Sequence, residues 1–183
     1  MTQALALLTA EDFVKLQDGQ LSELVRGRVI PMNMPVPRHG VVCSNIGFLL
    51  AKYLDEHDIG RVMTNDTGVI TERGPDTVRG VDVAFFSYDR LPRNARPDRY
   101  PESAPDIAFE VLSPSDRPGE VQTKVGEYLR AGARRVCVVH WRRNAITVYW
   151  PDDAIRTYEE SDVIDLSDIL PGFRLSVRDA YKW

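Results

Sequence analysis

The sequence lacks the features that mark several classes of protein. It has only two cysteines, Cys43 and Cys137, and they lie far apart in apolar surroundings. This excludes a disulfide framework and a cysteine-rich zinc site, and predicts reduced core thiols of a cytoplasmic protein. The chain has no run of 18 apolar residues, which is about the length needed to cross a membrane. Its apolar first residues lack the basic start of a signal peptide. No P-loop or GxGxxG motif is present, which argues against a nucleotide cofactor.

The composition is that of an ordinary globular chain with an uneven charge distribution. Its 183 residues, 43% hydrophobic and 27% charged, predict one domain over residues 1–183. The net charge of −4 argues slightly against nucleic acid, because phosphate contacts favour basic proteins. However, every charged residue in 129–150 is an arginine, whereas 152–168 is rich in acids. Residues 129–150 form a basic face, or else the arginine-rich and the acid-rich segments are two unrelated solvated surfaces. Both interpretations stay open.

Hydrophobic periodicity predicts an α/β (α+β) chain with one mixed central sheet flanked by helices. Thr9 and Asp12 form a capping box at the start of the first helix, and Asp18-Gly19 would end it. Helices are predicted over residues 10–17, 38–57 and 119–131, and strands over residues 21–25, 28–32, 61–64, 68–71, 78–86, 106–112, 135–140 and 145–150.

Two acidic residues interrupt apolar strands. Asp82 lies between Val81 and Val83, and Glu110 lies within Ala-Phe-Glu-Val-Leu. Burying an ionised carboxylate is costly unless it is paired or bound to a metal. If the two strands are adjacent, their acids would converge and offer the oxygen ligands that a hard divalent cation needs. The alternative, in which each acid faces solvent from a half-covered sheet, stays open.

A lysine on the predicted third helix completes a set with chemical logic. Lys124 follows Glu110 after one loop, and Tyr128 lies one helical turn further on. Lys124 could lean over the carboxylates, or it could be a surface lysine beside a packed tyrosine. Metal-bound water is a usable nucleophile, and a lysine can orient it or stabilise charge on a phosphoryl oxygen. The set fits phosphodiester hydrolysis better than acyl transfer, because Ser113-Pro114 is not a nucleophile elbow.

These residues carry a resemblance to a known family. Residues 105–115, Pro-Asp-Ile-Ala-Phe-Glu-Val-Leu-Ser-Pro-Ser, and residues 124–128, Lys-Val-Gly-Glu-Tyr, resemble the signature of the Uma-two (Uma2) family. These bacterial proteins are regarded as endonucleases with the restriction-endonuclease-like PD-(D/E)xK fold. The likeness spans nearly the whole chain, including the early hairpin at 22–30 and the stretch at 170–177. It implies a Mg²⁺- or Mn²⁺-dependent endodeoxyribonuclease acting on DNA, and a homodimer by analogy with related nucleases.

The resemblance also implies roles for individual residues. Asp82 would be the first metal-binding acid and Glu110 the acid of the (D/E)xK half-motif. The lysine position of that half-motif holds Leu112, so the catalytic lysine is expected at Lys124. Glu23 would be the extra N-terminal acid that some members of this fold use near the metal, unless it is an exposed hairpin residue.

Two histidines bear on the alternatives. His39 lies where the family's second helix usually begins with a histidine, and it is expected to cap or pack that helix in preference to orienting a phosphate. His140 replaces an acid that the family usually has after the third helix. That substitution and the mild acidity favour the alternative function, a catalytically silent interaction or regulatory protein that keeps the nuclease fold. A nuclease acting on RNA or on branched structures is a third possibility.

Overall fold

The computed structural model describes residues 6–16, 20–95 and 98–183. It contains helices α1 (Ala10–Lys15), α2 (Pro37–Glu56), α3 (Pro118–Arg130) and α4 (Val177–Ala180). The strands are β1 (Ser22–Val25), β2 (Arg28–Pro31), β3 (Gly60–Glu72), β4 (Thr77–Ser87), β5 (Ile107–Val111), β6 (Arg135–His140), β7 (Ala145–Tyr149), β8 (Ile155–Tyr158), β9 (Val163–Asp165) and β10 (Arg174–Ser176). None of the described helices is long and apolar enough to cross a membrane.

Most predicted elements agree with these bounds to within one or two residues. The capping box of α1 is confirmed, because the Thr9 side chain accepts a hydrogen bond from the Asp12 backbone N–H and the Asp12 side chain accepts one from Thr9. The predicted stop at Asp18-Gly19 lies outside the described residues. The two strands predicted over 61–64 and 68–71 are wrong as separate elements, because they form the single strand β3.

The central sheet is mixed and flanked by helices, as predicted. Seven of its eight strands follow the order β2-β1-β4-β5-β6-β7-β8, and β3 pairs with β4. Strands β5 and β6 are parallel, and the other pairs are antiparallel. Helix α3 connects the parallel pair, because a parallel connection must cross from one end of the sheet to the other.

Each face of the sheet has its own apolar layer. One face packs against α2 and the C-terminal segment, and its core joins Ile46 and Leu50 of α2 to Phe85 and Phe109 of the sheet. The opposite face packs against α3, where Val125 and Tyr128 are buried. The apolar residues of α2 recur at the three- and four-residue spacing of an amphipathic helix, which explains why one side of this helix is buried.

The partners of β4 create a gap beside its middle. Strand β3 pairs along one edge of β4. The other edge is shared: β1 pairs with it at Val78, and β5 pairs with it from Val83 to Phe85. Residues 79–82 therefore lie where β1 and β5 part, and this gap positions the site described below.

The packing of α2 leads to a stability prediction. Leu50 is fully buried, whereas Phe48 on the same helix is 65% exposed. We expect Leu50→Ala to lower the free energy of unfolding by about 2–5 kcal/mol, since it removes buried methyl groups and leaves a cavity. Phe48→Ala, the matched control, should cost about 1 kcal/mol or less. Equal losses for the two variants in urea denaturation would contradict the assigned face of α2.

Candidate active site

A lysine and two glutamates from three separate elements meet in the gap beside β4. Lys124 Nζ of α3 lies 2.8 Å from Glu23 Oε1 of β1 and 3.4 Å from Glu110 Oε2 of β5. Both glutamates are buried. The ammonium group therefore joins β1 and β5 at the place where neither strand can hydrogen-bond to the other.

A buried arginine holds the next layer of this network. Arg79 of β4 donates to Glu23 Oε2 at 2.7 Å and forms two bonds, of 2.6 and 2.9 Å, to the carboxylate of Glu127 on α3. The Gly80 N–H donates to the other Glu23 oxygen at 3.2 Å. Every oxygen of Glu23 is thus bound to a donor of this chain. A buried charge is tolerated when it is paired. The network therefore holds Glu23 in the position from which it contacts Lys124.

Asp82 and Glu110 occupy opposite positions on neighbouring strands. The antiparallel ladder of β4 and β5 ends at the pair of Val83 and Phe109, and Asp82 and Glu110 are the next residues on the two strands. Asp82 Oδ2 accepts a 2.6 Å hydrogen bond from the Val111 N–H. Its Oδ1 lies 3.1 Å from His39 Nε2 of α2. The two acids that interrupt apolar strands therefore lie side by side at the gap.

A β-bulge adds a third acid. Two residues of β3, Asn65 and Asp66, lie opposite the single residue Asp82, and both have left-handed backbone angles, with φ of 67° and 53°. A bulge bends the strand and redirects its side chains. A Cβ atom on Gly80 would lie 3.2 Å from Asp66 Cβ, so the glycine leaves room for the bulge. Asp66 consequently lines the same cleft as Asp82.

The site carries more negative than positive charge. Five carboxyl groups, Glu23, Asp66, Asp82, Glu110 and Glu127, surround two permanent cations, Arg79 and Lys124.

Burial and this surplus of negative charge shift the pKa values of the ionisable groups in the site. Burial, followed by the charges of Asp82 and Glu23, raises the pKa of Glu110 to about 7 against the lowering effect of Lys124. Burial and the Asp82 charge likewise raise the pKa of Asp66. Burial would lower the pKa of Lys124, but Glu110 and Glu23 raise it above its usual value, so its ammonium group stays charged.

The residues present fit a divalent cation. Glu110 Oε1 and the Tyr128 hydroxyl are both buried without a hydrogen bond of good geometry among the described residues, although the two groups lie close enough for Tyr128 to lower the pKa of Glu110. An unpaired buried carboxylate oxygen is costly unless a proton or a metal satisfies it. Asp82 and Glu110 supply the oxygen ligands that Mg²⁺ prefers. A second possible metal-binding group shares Asp82, because donor atoms of His39, Cys43 and Asp82 all lie within 4.8 Å of one another.

The acids line an open cleft of about 380 Å³. Its walls come from the hairpin of β1 and β2, the start of α2 and the first turns of α3, and they include Glu23, His39, Asp66, Glu110 and Lys124. The turn after β6, residues 141–144, lies at the same end of the sheet, because β6 runs parallel to β5 with Val138 opposite Glu110.

A basic and aromatic turn lies beyond the cleft. Arg142 stacks over the Trp141 ring, with 4.7 Å from the guanidinium carbon to the ring centroid. Arg38 at the start of α2 donates to Asn144 Oδ1 at 2.8 Å. The Tyr181 hydroxyl contacts the carbonyl oxygens of the residues that flank the turn, His140 and Ala145, at 3.0 and 2.7 Å. This holds the turn in place beside the site.

The structure brings together the four residues that the sequence analysis named, Glu23, Asp82, Glu110 and Lys124. Two alternatives given for them are wrong: Glu23 is buried and not an exposed hairpin residue, and Lys124 is mostly covered and not a free surface lysine.

The structure also places the histidines His39 and His140 and both cysteines. His39 does not cap α2, since the helix begins after Val36 without a side-chain cap, and its ring contacts Asp82 instead. Both cysteines are free: Cys137 is fully buried in the core, and Cys43 is half-buried, packed against the core and beside the site. His140 contacts Thr147 Oγ1 at 2.8 Å from its Nε2 atom.

Three polar residues of the site, Arg79, Glu127 and Asp66, were not predicted from the sequence. Arg79 carries a visible signal, because an arginine inside an otherwise apolar strand needs buried acidic partners. Glu127 could then have been named as its partner on α3. Asp66 had no such signal, since Asn-Asp-Thr-Gly reads as a turn between two strands, and only the bulge in β3 directs it to the cleft.

The chain is similar to known proteins in both sequence and fold. The sequence profile of the Uma2 family, described as "Putative restriction endonuclease", matches residues 10–178. A solved structure from Anabaena variabilis ATCC 29413, described as a "putative nuclease belonging to DUF820", is similar over 95% of this chain and 97% of that one. Its TM-score is 0.79 at 20% sequence identity, which shows a shared fold. No curated protein matches the chain.

The raised pKa of Glu110 predicts a specific pH dependence of stability. The folded protein keeps a proton on Glu110 up to about pH 7, whereas the unfolded chain releases it near the ordinary value of 4.5. Since the folded state then binds more protons, wild-type stability falls as the pH rises through this range. Glu110→Gln cannot ionise and escapes this loss. In the presence of a chelator, we expect the variant to gain on the order of 2 kcal/mol over wild type between about pH 5 and pH 8.

Urea denaturation at several pH values measures this difference. A difference in unfolding free energy that stays constant from about pH 5 to pH 8 would contradict the environment assigned to Glu110.

Proposed function

Because the chain belongs to the Uma2 family, we propose that it is a metal-dependent endonuclease that hydrolyses phosphodiester bonds of DNA. One observation carries this proposal: Asp82, Glu110 and Lys124, from three separate elements, converge on an open cleft whose buried carboxyl groups outnumber its cations. Two acids and a lysine in that arrangement are suited to phosphodiester hydrolysis.

Asp82 and Glu110 are the proposed ligands for Mg²⁺ or Mn²⁺. When bound, the ion would make a coordinated water more acidic and would offset the charge that grows on the phosphate. The unpartnered Glu110 oxygen and the surplus of negative charge support this assignment. Asp82 has one oxygen fixed by the Val111 N–H, which leaves its other oxygen, now facing His39, as the proposed ligand atom.

Lys124 is proposed to orient the attacking water or to stabilise charge on a phosphoryl oxygen. An ammonium group has three N–H donors. Glu23 and Glu110 accept two of them in the described structure, and the third is available for the substrate side. Both oxygens of Glu23 already bind Lys124, Arg79 and Gly80. Glu23 is therefore proposed as a positioning residue that holds Lys124.

The substrate strand is proposed to pass from the cleft over the turn at residues 141–144. Arg38, Arg142 and Arg143 are exposed and lie at the end of the sheet that holds the acids. Their charges oppose the mild acidity of the whole chain and supply phosphate contacts where the site needs them. A homodimer that presents one cleft to each DNA strand is part of the proposal by analogy of fold alone. A reducing compartment such as the cytoplasm suits the two free cysteines.

Cleavage of supercoiled plasmid tests the proposed chemistry. We expect nicking that requires Mg²⁺ or Mn²⁺ and falls by about 10²- to 10⁴-fold in Asp82→Asn, Glu110→Gln and Lys124→Met, because each change removes a ligand or the charge that orients water. Calorimetry should show that the two acid variants lose Mn²⁺ binding.

The control variant is Glu160→Gln, an exposed acid outside the cleft. It should cleave as wild type does. Equal cleavage by wild type and all three site variants would identify a contaminating nuclease. A pure wild-type protein that neither cleaves nor binds Mn²⁺ would support the silent interaction protein instead.

The salt dependence of DNA binding tests the proposed path of the strand. The measurements use protein that carries Asp82→Asn, which prevents cleavage. In this background, we expect the double variant Arg142→Ala with Arg143→Ala to bind DNA more weakly. The slope of log K against log salt concentration should shrink by about 1–2, since each phosphate contact contributes about 0.9.

The matched control removes the same charge elsewhere. Arg134→Ala with Arg156→Ala changes two exposed arginines, one just before β6 and one on β8. It should leave the slope nearly unchanged. Equal shifts for the two double variants would mean that only net charge matters, and would contradict the proposed path.

A further inference from the structure

Cys43 and His39 form a pair that the proposed chemistry does not use. They lie four residues apart on α2, and this spacing places them on the same face of the helix. Cys43 Sγ lies 3.5 Å from His39 Nδ1. A tetrahedral zinc ion with bonds of about 2.3 Å to sulfur and 2.0 Å to nitrogen holds those two atoms about 3.5 Å apart. The pair thus already has the separation of two zinc ligands.

A third donor lies on the opposite strand. An oxygen of Asp82 falls within 4.8 Å of the donor atoms of both other residues. Asp82 Oδ1 faces Nε2 of His39 at 3.1 Å, whereas Cys43 faces Nδ1, so one ion can bind all three residues only after the His39 ring and the Asp82 side chain turn toward a shared point. Thiolate, imidazole and carboxylate together suit Zn²⁺ and Co²⁺, whereas Mg²⁺ prefers oxygen ligands alone.

The group is accessible and lies in a favourable field. A groove of about 490 Å³ on the side of α2 shares His39, Asp66 and Asp82 with the cleft of Lys124 and also reaches Cys43. Burial and the charges of Asp82, Asp66 and Glu110 raise the pKa of the Cys43 thiol. The same negative charges attract a cation, and metal binding displaces the thiol proton.

We propose that Cys43, His39 and Asp82 form a second metal site, which binds Zn²⁺ or Co²⁺ and leaves a fourth position open to water. The site is distinct from the proposed magnesium ligands because it uses a thiolate and does not need Glu110. Since Asp82 belongs to both sets, a transition-metal ion here occupies a ligand of the cleft. The site does not depend on nuclease activity.

Cobalt titration of the full chain tests the site through a signal that only a thiolate ligand produces. With a non-thiol reductant present, we expect a sulfur-to-Co²⁺ charge-transfer band in the near ultraviolet that saturates at one Co²⁺ per chain. Zn²⁺ should displace it. The band should vanish in Cys43→Ala, and Zn²⁺ affinity measured by calorimetry should fall at least about 10-fold.

Two matched variants separate this site from its alternatives. Cys137→Ala removes the other cysteine, which is fully buried in the core, and should keep the band. Glu110→Gln should also keep it, so failure of the magnesium site and failure of this one are distinguishable. If Cys43→Ala does not fold, His39→Gln should give the same loss of Zn²⁺ affinity. No band in wild type, or a band that persists in Cys43→Ala, would overturn the proposal.

Discussion

The site depends on the contact between the Lys124 ammonium group and two buried glutamates. Strands β1 and β5 share one edge of β4 and part beside residues 79–82, so no backbone ladder connects them there. Lys124 joins Glu23 of one strand to Glu110 of the other. A cation in this position lets acids lie in a largely apolar sheet, because the alternative is unpaired buried charge. The ammonium group that fills the gap in the sheet is therefore also the group that pairs with the buried acids on either side of it.

The same arrangement leaves a surplus of carboxyl groups on the open side of Lys124. Among the described residues, the side-chain hydrogen bonds of Arg79 go to Glu23 and Glu127, so its charge is directed away from Asp82, Asp66 and Oε1 of Glu110. Protons compensate part of that surplus, as the raised pKa values of Glu110 and Asp66 indicate. A divalent cation would compensate it more completely and would do so where a phosphate can approach. Stability of the fold favours paired charges, whereas a metal site needs carboxyl groups that no protein cation pairs. The two sides of the cleft meet these two requirements separately.

Much of this could be predicted from the sequence, and the exceptions have physical reasons. Asp82 and Glu110 are visible because an acid inside an apolar strand is rare, and the mixed sheet follows from the periodicity of its elements. Asp66 could not be predicted, because its direction depends on a bulge and on the space left by Gly80. The contact of His39 with Asp82 joins residues far apart in sequence, and local patterning favours helix capping at that position. Tertiary proximity, which no local pattern encodes, decided both cases.

The central claim is that Asp82 and Glu110 hold one divalent cation beside Lys124. A crystal soaked with Mn²⁺ and measured at the manganese absorption edge tests it most directly. We expect an anomalous peak within bonding distance of carboxylate oxygens from both acids. A well-ordered cleft with no peak at saturating Mn²⁺, or a peak that contacts neither acid, would contradict it.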